Sequence, residues 1–288
     1  MSLFGNNRGY SRPGLPLGRF LIVGVMAIAA IVTYVSRLER NPMTGQLQAV
    51  AIDQGQEIAL GLQAAPQMAQ EMGGVLSAQR DPRAARVSDV GQKLVRVSKA
   101  RESPYAQNFN FFLLADDRTV NAFALPGGQI FITAALYDRL ANEAQLAGVL
   151  GHEIGHVVYR HTSEQMANGQ LGQGLIGAVA AGTGYDQMST MAAGLASKML
   201  TMKYGRGDEL ESDQWGLLTM EDAGYDPSQM LAVMNTLKAA GGGGGRGPSV
   251  FATHPDPDAR IRRIQEHLEK KYPRGVPGHL TGGGPLPR

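Results

Sequence analysis

No cysteine occurs in the 288 residues. That absence excludes a disulfide framework, a thiol nucleophile, a zinc ribbon and a lipidated N-terminal cysteine. Charge of one sign is also scarce. The net charge is +2, with no strong basic cluster, so the composition offers nothing to a nucleic-acid partner. Long hydrophobic runs are nearly absent, and the exception is Phe20 to Ser36, 17 residues without a charge between Arg19 and Arg37. This is the low end of a membrane-spanning helix. At 43% hydrophobic and 18% charged, the chain can bury one sizeable core, which predicts one domain with appendages.

The apolar run reads as an N-terminal transmembrane anchor. A cleaved signal peptide is the rival reading, since Ala27-Ile28-Ala29 offers a small-x-small site, but the run continues through Ala30, Ile31 and Val32. Arg8, Arg12 and Arg19 ahead of it, against Arg37 and Arg40 behind, favour a cytoplasmic N-terminus and a domain in the periplasm. The expected organisation is a basic flexible tail over 1–19, the anchor over 20–36 and a linker over 37–45. A folded domain over 46–272 follows, then a Pro/Gly-rich disordered tail over 273–288.

The most specific signal is His152-Glu153-x-x-His156, inside a stretch from Ala141 to His161 that reads as one helix. Residues i and i+4 stand one above the other on a helix, so two imidazoles at this spacing can grip one metal ion. Glu153 falls beside the metal, placed to act as a general base. Asn142 with Gln145 forms a cap, and Leu146, Val149, Leu150, Ile154, Val157 and Val158 supply an apolar stripe. Burying two histidines and a glutamate together without a metal would be costly.

Catalytic zinc takes three protein ligands, so a third is required. The extended signature with Gly at 159 and His at 162 is excluded by Tyr159 and Thr162. His161 falls on the wrong side of a continuous helix and reads as a cation near its C-terminus. A better candidate is Arg206-Gly-Asp-Glu209-Leu-Glu211-Ser-Asp213, which opens another helical stretch with Glu209 and Asp213 on one face and Glu211 pointing elsewhere. A ligand carboxylate with a second carboxylate one turn later suits a site of two histidines and a glutamate.

The HExxH, the Arg206 to Asp213 block and the later His254-Pro255 with Arg260-Ile261 resemble the peptidase family of HtpX. That family includes the prenyl-protein CAAX protease, the mitochondrial Oma-type proteases and the bacterial envelope proteases BepA and LoiP. The likeness covers Gln46 to Tyr272. It implies one zinc ion per chain on His152, His156 and Glu209, with Glu153 catalytic and Asp213 a partner of His152. Ser212 stands where the family commonly has Ala, and Gly205 where many members have Ser. The implied activity is a metalloendopeptidase of the bacterial inner membrane, acting on protein or peptide substrates in the periplasm for envelope quality control.

The predicted fold class is α+β, mainly helical, and zincin-like. Gln46 to Gly73 and Val87 to Ala100 read as helices. Phe109 to Ala115, Thr119 to Leu125 and Gln129 to Thr133 read as a small sheet leading into the HExxH helix, the last two joined by Pro126-Gly127-Gly128. The edge of such a sheet can take an extended substrate as a further strand. Leu171 to Gly184 and Met188 to Met202 are rich in Gly, Ala and Met and too broken for membrane spans. His254 follows the glycine run Gly241 to Gly245 and precedes a helix over Asp256 to Glu269. A loop so built can swing its histidine, either to occupy the metal in a latent form or to stabilise the oxyanion. The rival function is a chaperone or assembly factor that keeps the zinc fold and rarely cuts.

Overall fold

The computed structural model of the protein describes residues 17–180, 203–241, 253–255 and 257–288. The stretch Met188 to Met202 and most of the glycine run Gly241 to Gly245 lie outside the described residues, as does Leu171 to Gly184 beyond its first ten positions. The elements are α1 (Leu17–Val35), β1 (Leu38–Arg40), β2 (Leu47–Ala49), α2 (Gln54–Glu71), α3 (Pro82–Val97), β3 (Asn110–Leu114), β4 (Ala122–Leu125) and β5 (Gln129–Thr133). They continue with α4 (Ala134–Tyr137), α5 (Glu143–Val158), α6 (His161–Ala180), α7 (Arg206–Asp222), α8 (Gln229–Gly241) and α9 (Pro257–Lys271).

The larger sheet has the order β3-β5-β4, with β3 parallel and β4 antiparallel to β5. Its alternation sorts side chains onto two faces. Phe111, Leu113, Ala122, Ala124, Ile130 and Ile132 join the main core with α3, α5, α7 and α8. Leu114, Leu125 and Phe131 turn the other way, onto Met68 and Ala69 of α2 and Met72 just beyond it, with Phe112 and Phe123 stacked on either side of Phe131. The β4–β5 hairpin closes through Gly127 and Gly128, both at positive φ, a conformation that L side chains resist.

The packing that positions the site is α5 against α7. Gly151 and Gly155 of α5 face Gly216 and Ser212 of α7 so closely that a Cβ on Gly155 would lie 2.9 Å from Ser212 Cα. This close approach sets the first turns of α7 beside His152 and His156.

Several expectations are revised. Gln46 to Gly73 is not one helix: Leu47–Ala49 pairs with Leu38–Arg40, and α2 begins only where Asp53 and Gln56 form a capping box. The second helix starts earlier than Val87, at Pro82, because Asp81 caps it. The linker 37–45 is structured, since buried Asn41 bonds Gln48 and the carbonyl of Val158. The predicted helix Ala141 to His161 breaks at Arg160, whose φ is 61°, and a new helix starts at His161.

The disordered tail over 273–288 is also overturned. Leu280 and Leu286 are buried, and the carbonyls of Gly282 and Gly284 accept from the amides of Ala144 and Glu143. Those amides open α5 and have no partner within it, so the tail satisfies donors the helix leaves free. Arg288 adds bonds to the carbonyls of Asp138 and Leu140.

At the other end, α1 packs on α6, with the Tyr34 hydroxyl donating to Asn168 at 3.0 Å. Among the described residues no helix is long and apolar enough to cross a membrane. Leu21, Ile22, Val25, Ile28 and Val32 of α1 are nonetheless exposed.

Candidate metal centre

The amide of Gln145 donates to Asn142 Oδ1 at 3.0 Å, so α5 starts where the sequence puts its cap. From Ala144 to Val158 the helix is buried throughout. His152 and His156, one turn apart, bring their Nε2 atoms to 3.0 Å. Two nitrogens on a tetrahedral zinc would stand about 3.3 Å apart. The Glu209 carboxylate, from the first turn of α7, lies 3.6 Å from His152 Nε2 and 3.5 Å from His156 Nε2. His254 joins them with Nδ1 at 3.4 Å from His152 Nε2 and 3.0 Å from Glu209 Oε1. One donor atom from each of these four buried residues lies within 4.8 Å of all the others.

Three nitrogens and a carboxylate oxygen form a set suited to zinc. Beside this set Glu153 Oε2 and His254 Nε2 are buried without a hydrogen-bond partner, whereas Glu209 Oε2 is held by an ion pair with Arg260 Nη1 at 2.7 Å. Buried atoms so placed are costly unless a ligand takes them up. Burial holds His156 well below the usual histidine range, which keeps the ring neutral and able to bind a cation. Burial pushes the Glu153 carboxyl up. Its Oε1 is 3.8 Å from His254 Nε2, so Glu153 stands beside the donor group and outside it.

A second layer holds the donors. Asp213 Oδ1 lies 2.9 Å from His152 Nδ1, which directs that ring's Nε2 to the site. Arg260, on α9 and buried, donates to Asp213 through Nε at 2.8 Å and Nη2 at 2.6 Å. Burial raises Glu209, but His254 and Arg260 outweigh it and hold the carboxyl well below its ordinary range. Asp213 is held down in the same way, by Arg260 and His152 against burial.

Sequence reasoning missed three residues here. Arg260 has no role legible in the sequence beyond its motif, because a cation on an amphipathic helix looks the same whether buried or exposed. Tyr204 stacks on His156 with ring centroids 3.9 Å apart, and its amide donates to the Thr253 carbonyl at 3.1 Å. No pattern in Lys203-Tyr204-Gly205 announces it. The third is His161, whose Nδ1 stands 2.9 Å from His156 Nδ1. The expectation of a plain helix-end cation fails because the left-handed Arg160 turns the chain back.

The same span of sequence carries a family match. The model of peptidase family M48 matches residues 81–268, a span holding every donor described above. The chain belongs to peptidase family M48. Within that family it is 29% identical over 198 residues to the beta-barrel assembly-enhancing protease of Escherichia coli (strain K12), covering 66% of this chain and 40% of that protein. It is 28% identical over 247 residues to the mitochondrial metalloendopeptidase OMA1 of Schizosaccharomyces pombe, covering 86% of this chain and 71% of the relative. With the metalloprotease YcaL of Escherichia coli (strain K12) it shares 27% identity over 190 residues, 64% of this chain and 72% of that one. The M48 chain described here therefore spans about two fifths of the length of the beta-barrel assembly-enhancing proteases it matches.

Proposed function

We propose that this chain is a zinc-dependent metalloendopeptidase that cuts protein or peptide substrates in the bacterial envelope. One zinc ion is held by His152, His156 and Glu209, with Glu153 as catalytic base and Asp213 orienting His152. The observation that carries this reading is the convergence of buried donors within 4.8 Å, with a further buried carboxylate adjacent to them. When bound, zinc supplies a Lewis acid and lowers the pKa of a water.

The remaining work falls to the chain's own side chains. Glu153 takes the proton of the attacking water on a carboxylate oxygen and returns it to the leaving amine; a carboxyl pushed up by burial retains that proton between the two steps. Among the described residues β4 pairs with β5 alone, leaving an edge for an extended substrate to join by main-chain hydrogen bonds. A small apolar cavity lined by Val149, Met230, Val233 and Met234 borders Glu153 and would have to widen to take a substrate side chain.

His254 completes a four-donor set and so describes a latent enzyme, from which a substrate or partner must withdraw the ring. This closed set also supports the second reading, a chaperone or assembly factor with little proteolysis. Membrane attachment is assigned to α1, on the uncharged run Phe20 to Ser36 and its exposed apolar side chains. The arginine bias supports an inner-membrane anchor with the domain in the periplasm, although no helix among the described residues has the length and hydropathy of a full span. Envelope quality control is supported by an Escherichia coli relative whose name couples a protease to beta-barrel assembly.

The deciding experiment is Glu153→Gln. Zinc content by metal analysis should stay at the wild-type level while peptidase activity on an unfolded protein falls by about 10²-fold or more. Loss of zinc in this variant would remove Glu153 from its role. Cleavage products compared between cells carrying wild type and Glu153→Gln would then reveal substrates, and identical product sets would favour the chaperone reading.

A further inference from the structure

His161 and Glu211 contribute no donor to the site, yet both are tied to it. His156 turns Nε2 toward His152 and Glu209, so its ring proton belongs on Nδ1, where it faces His161 Nδ1 at 2.9 Å. Only one of two facing nitrogens can carry the proton of a hydrogen bond. His161 Nδ1 is therefore the acceptor, and its own proton sits on Nε2, 3.3 Å from Glu211 Oε2. The other Glu211 oxygen accepts from Gln46 Nε2 at 2.9 Å. Each tautomer in this series follows from the one before it.

The surroundings are built to hold His161. The ring is buried, the Tyr159 ring stacks on it with centroids 5.4 Å apart and planes 16° from parallel, and Ser212 Oγ approaches Nδ1 at 3.4 Å. Its direction depends on Arg160, a non-glycine residue at positive φ, a strained conformation maintained only where the surroundings enforce it. Here they do, through bonds from Arg160 to Glu57 and to the carbonyl of Ile52. A cation serving a helix end would need neither the turn nor the burial.

We propose that His161 is a positioning residue for the metal: backed by Glu211, it accepts the Nδ1 proton of His156 and fixes that ring with Nε2 toward the cation. The inference rests on the metallopeptidase reading. It gives the two histidine ligands unlike supports, a carboxylate directly on His152 and an imidazole with a carboxylate behind it on His156. Partners of this kind govern metal affinity by about 10 to 100-fold.

The test measures zinc affinity of the full-length protein by competition with a chromophoric chelator, together with thermal melting of the zinc-free form. His161→Phe keeps the ring and removes the acceptor, and should weaken zinc binding by about 10 to 100-fold. His161→Asn carries an oxygen near the position of Nδ1 and should recover most of that loss, with zinc-free melting unchanged. Glu211→Ala should weaken zinc in the same direction by a smaller factor, and decides the matter if His161→Phe does not fold. Wild-type affinity in folded His161→Phe, or in Glu211→Ala, overturns the relay. So does an Asn variant as weak as Phe with both melting early, which is the mark of packing alone. Wild-type protein that bound no zinc would instead overturn the metallopeptidase reading, and the relay with it.

Discussion

Gly155 lies against the backbone of Ser212, and a Cβ at that glycine would stand 2.9 Å from Ser212 Cα and 3.2 Å from its carbonyl oxygen. The clash is with main chain, so no side-chain rotation relieves it. Gly155→Ala must push α7 away from α5 and carry Glu209 and Asp213 off the histidines. We expect a loss of about 1 to 3 kcal/mol in chemical denaturation and a clear drop in zinc content by metal analysis. Gly169, on the surface of α6, has open space where a Cβ would sit, with nothing within 4 Å, so Gly169→Ala should be neutral or slightly stabilising.

Arg260 bridges Glu209 and Asp213 with all three groups buried. Arg260→Met takes the guanidinium from between two buried carboxylates and leaves only histidine rings beside them. Zinc-free protein should lose about 3 to 5 kcal/mol in denaturant titrations. Saturating zinc should recover part of it, because a cation bound only by the folded state offsets the missing charge. An unaltered midpoint without zinc would show that Arg260 is not what holds the carboxylates.

His254 Nδ1 stands among the donors, and the proposed latent form gives it the part of a plug. In His254→Ala we expect basal proteolysis of an unfolded substrate to rise, with zinc retained. A fall in kcat with zinc retained would make the ring an oxyanion donor instead. Unchanged kcat, basal rate and zinc content would leave it without a role at the site.

Burial pushes the Glu57 carboxyl up to about 7, against a usual value of 4.5. The folded protein therefore holds this proton where the unfolded chain has lost it, so the contribution of Glu57 to stability is best below pH 4.5 and declines as pH rises to about 7. Arg160 Nε, 3.1 Å away, opposes the shift, so roughly 3 kcal/mol is a ceiling on the decline. In Glu57→Gln the side chain no longer titrates. The stability of wild type minus that of the variant should then fall between pH 4.5 and 7 in paired melts, and a flat difference would refute the shift.

What could be read in advance was whatever periodicity or ligand chemistry writes into side chains. The cap at Asn142, the apolar stripe of α5, and Glu209 with Asp213 on one face of α7 all follow from spacing. The sheet follows from alternation, with its hairpin marked by Pro126-Gly127-Gly128. A helical projection places His161 wrongly because it assumes that the helix continues, and nothing in Tyr159-Arg160-His161 marks Arg160 as left-handed. The contacts that hold this turn come from Glu57, 103 positions earlier. Gly282 and Gly284 were invisible for another reason: they act through carbonyls, which every residue has, so their role leaves no trace in composition.

That carbonyl support reaches far along the chain. Arg288 bonds the Asp138 carbonyl across 150 positions, and the partners of the first α5 amides come from the same late segment. Closing a loop of this length costs entropy before any contact offsets it. The helix that carries both histidines therefore has a first turn that can be completed only after nearly all the intervening chain has been gathered in. In pulse-labelled refolding, the Glu143 and Ala144 amides should be among the last to gain protection, so competence to hold a metal becomes a report on the folding of the whole domain.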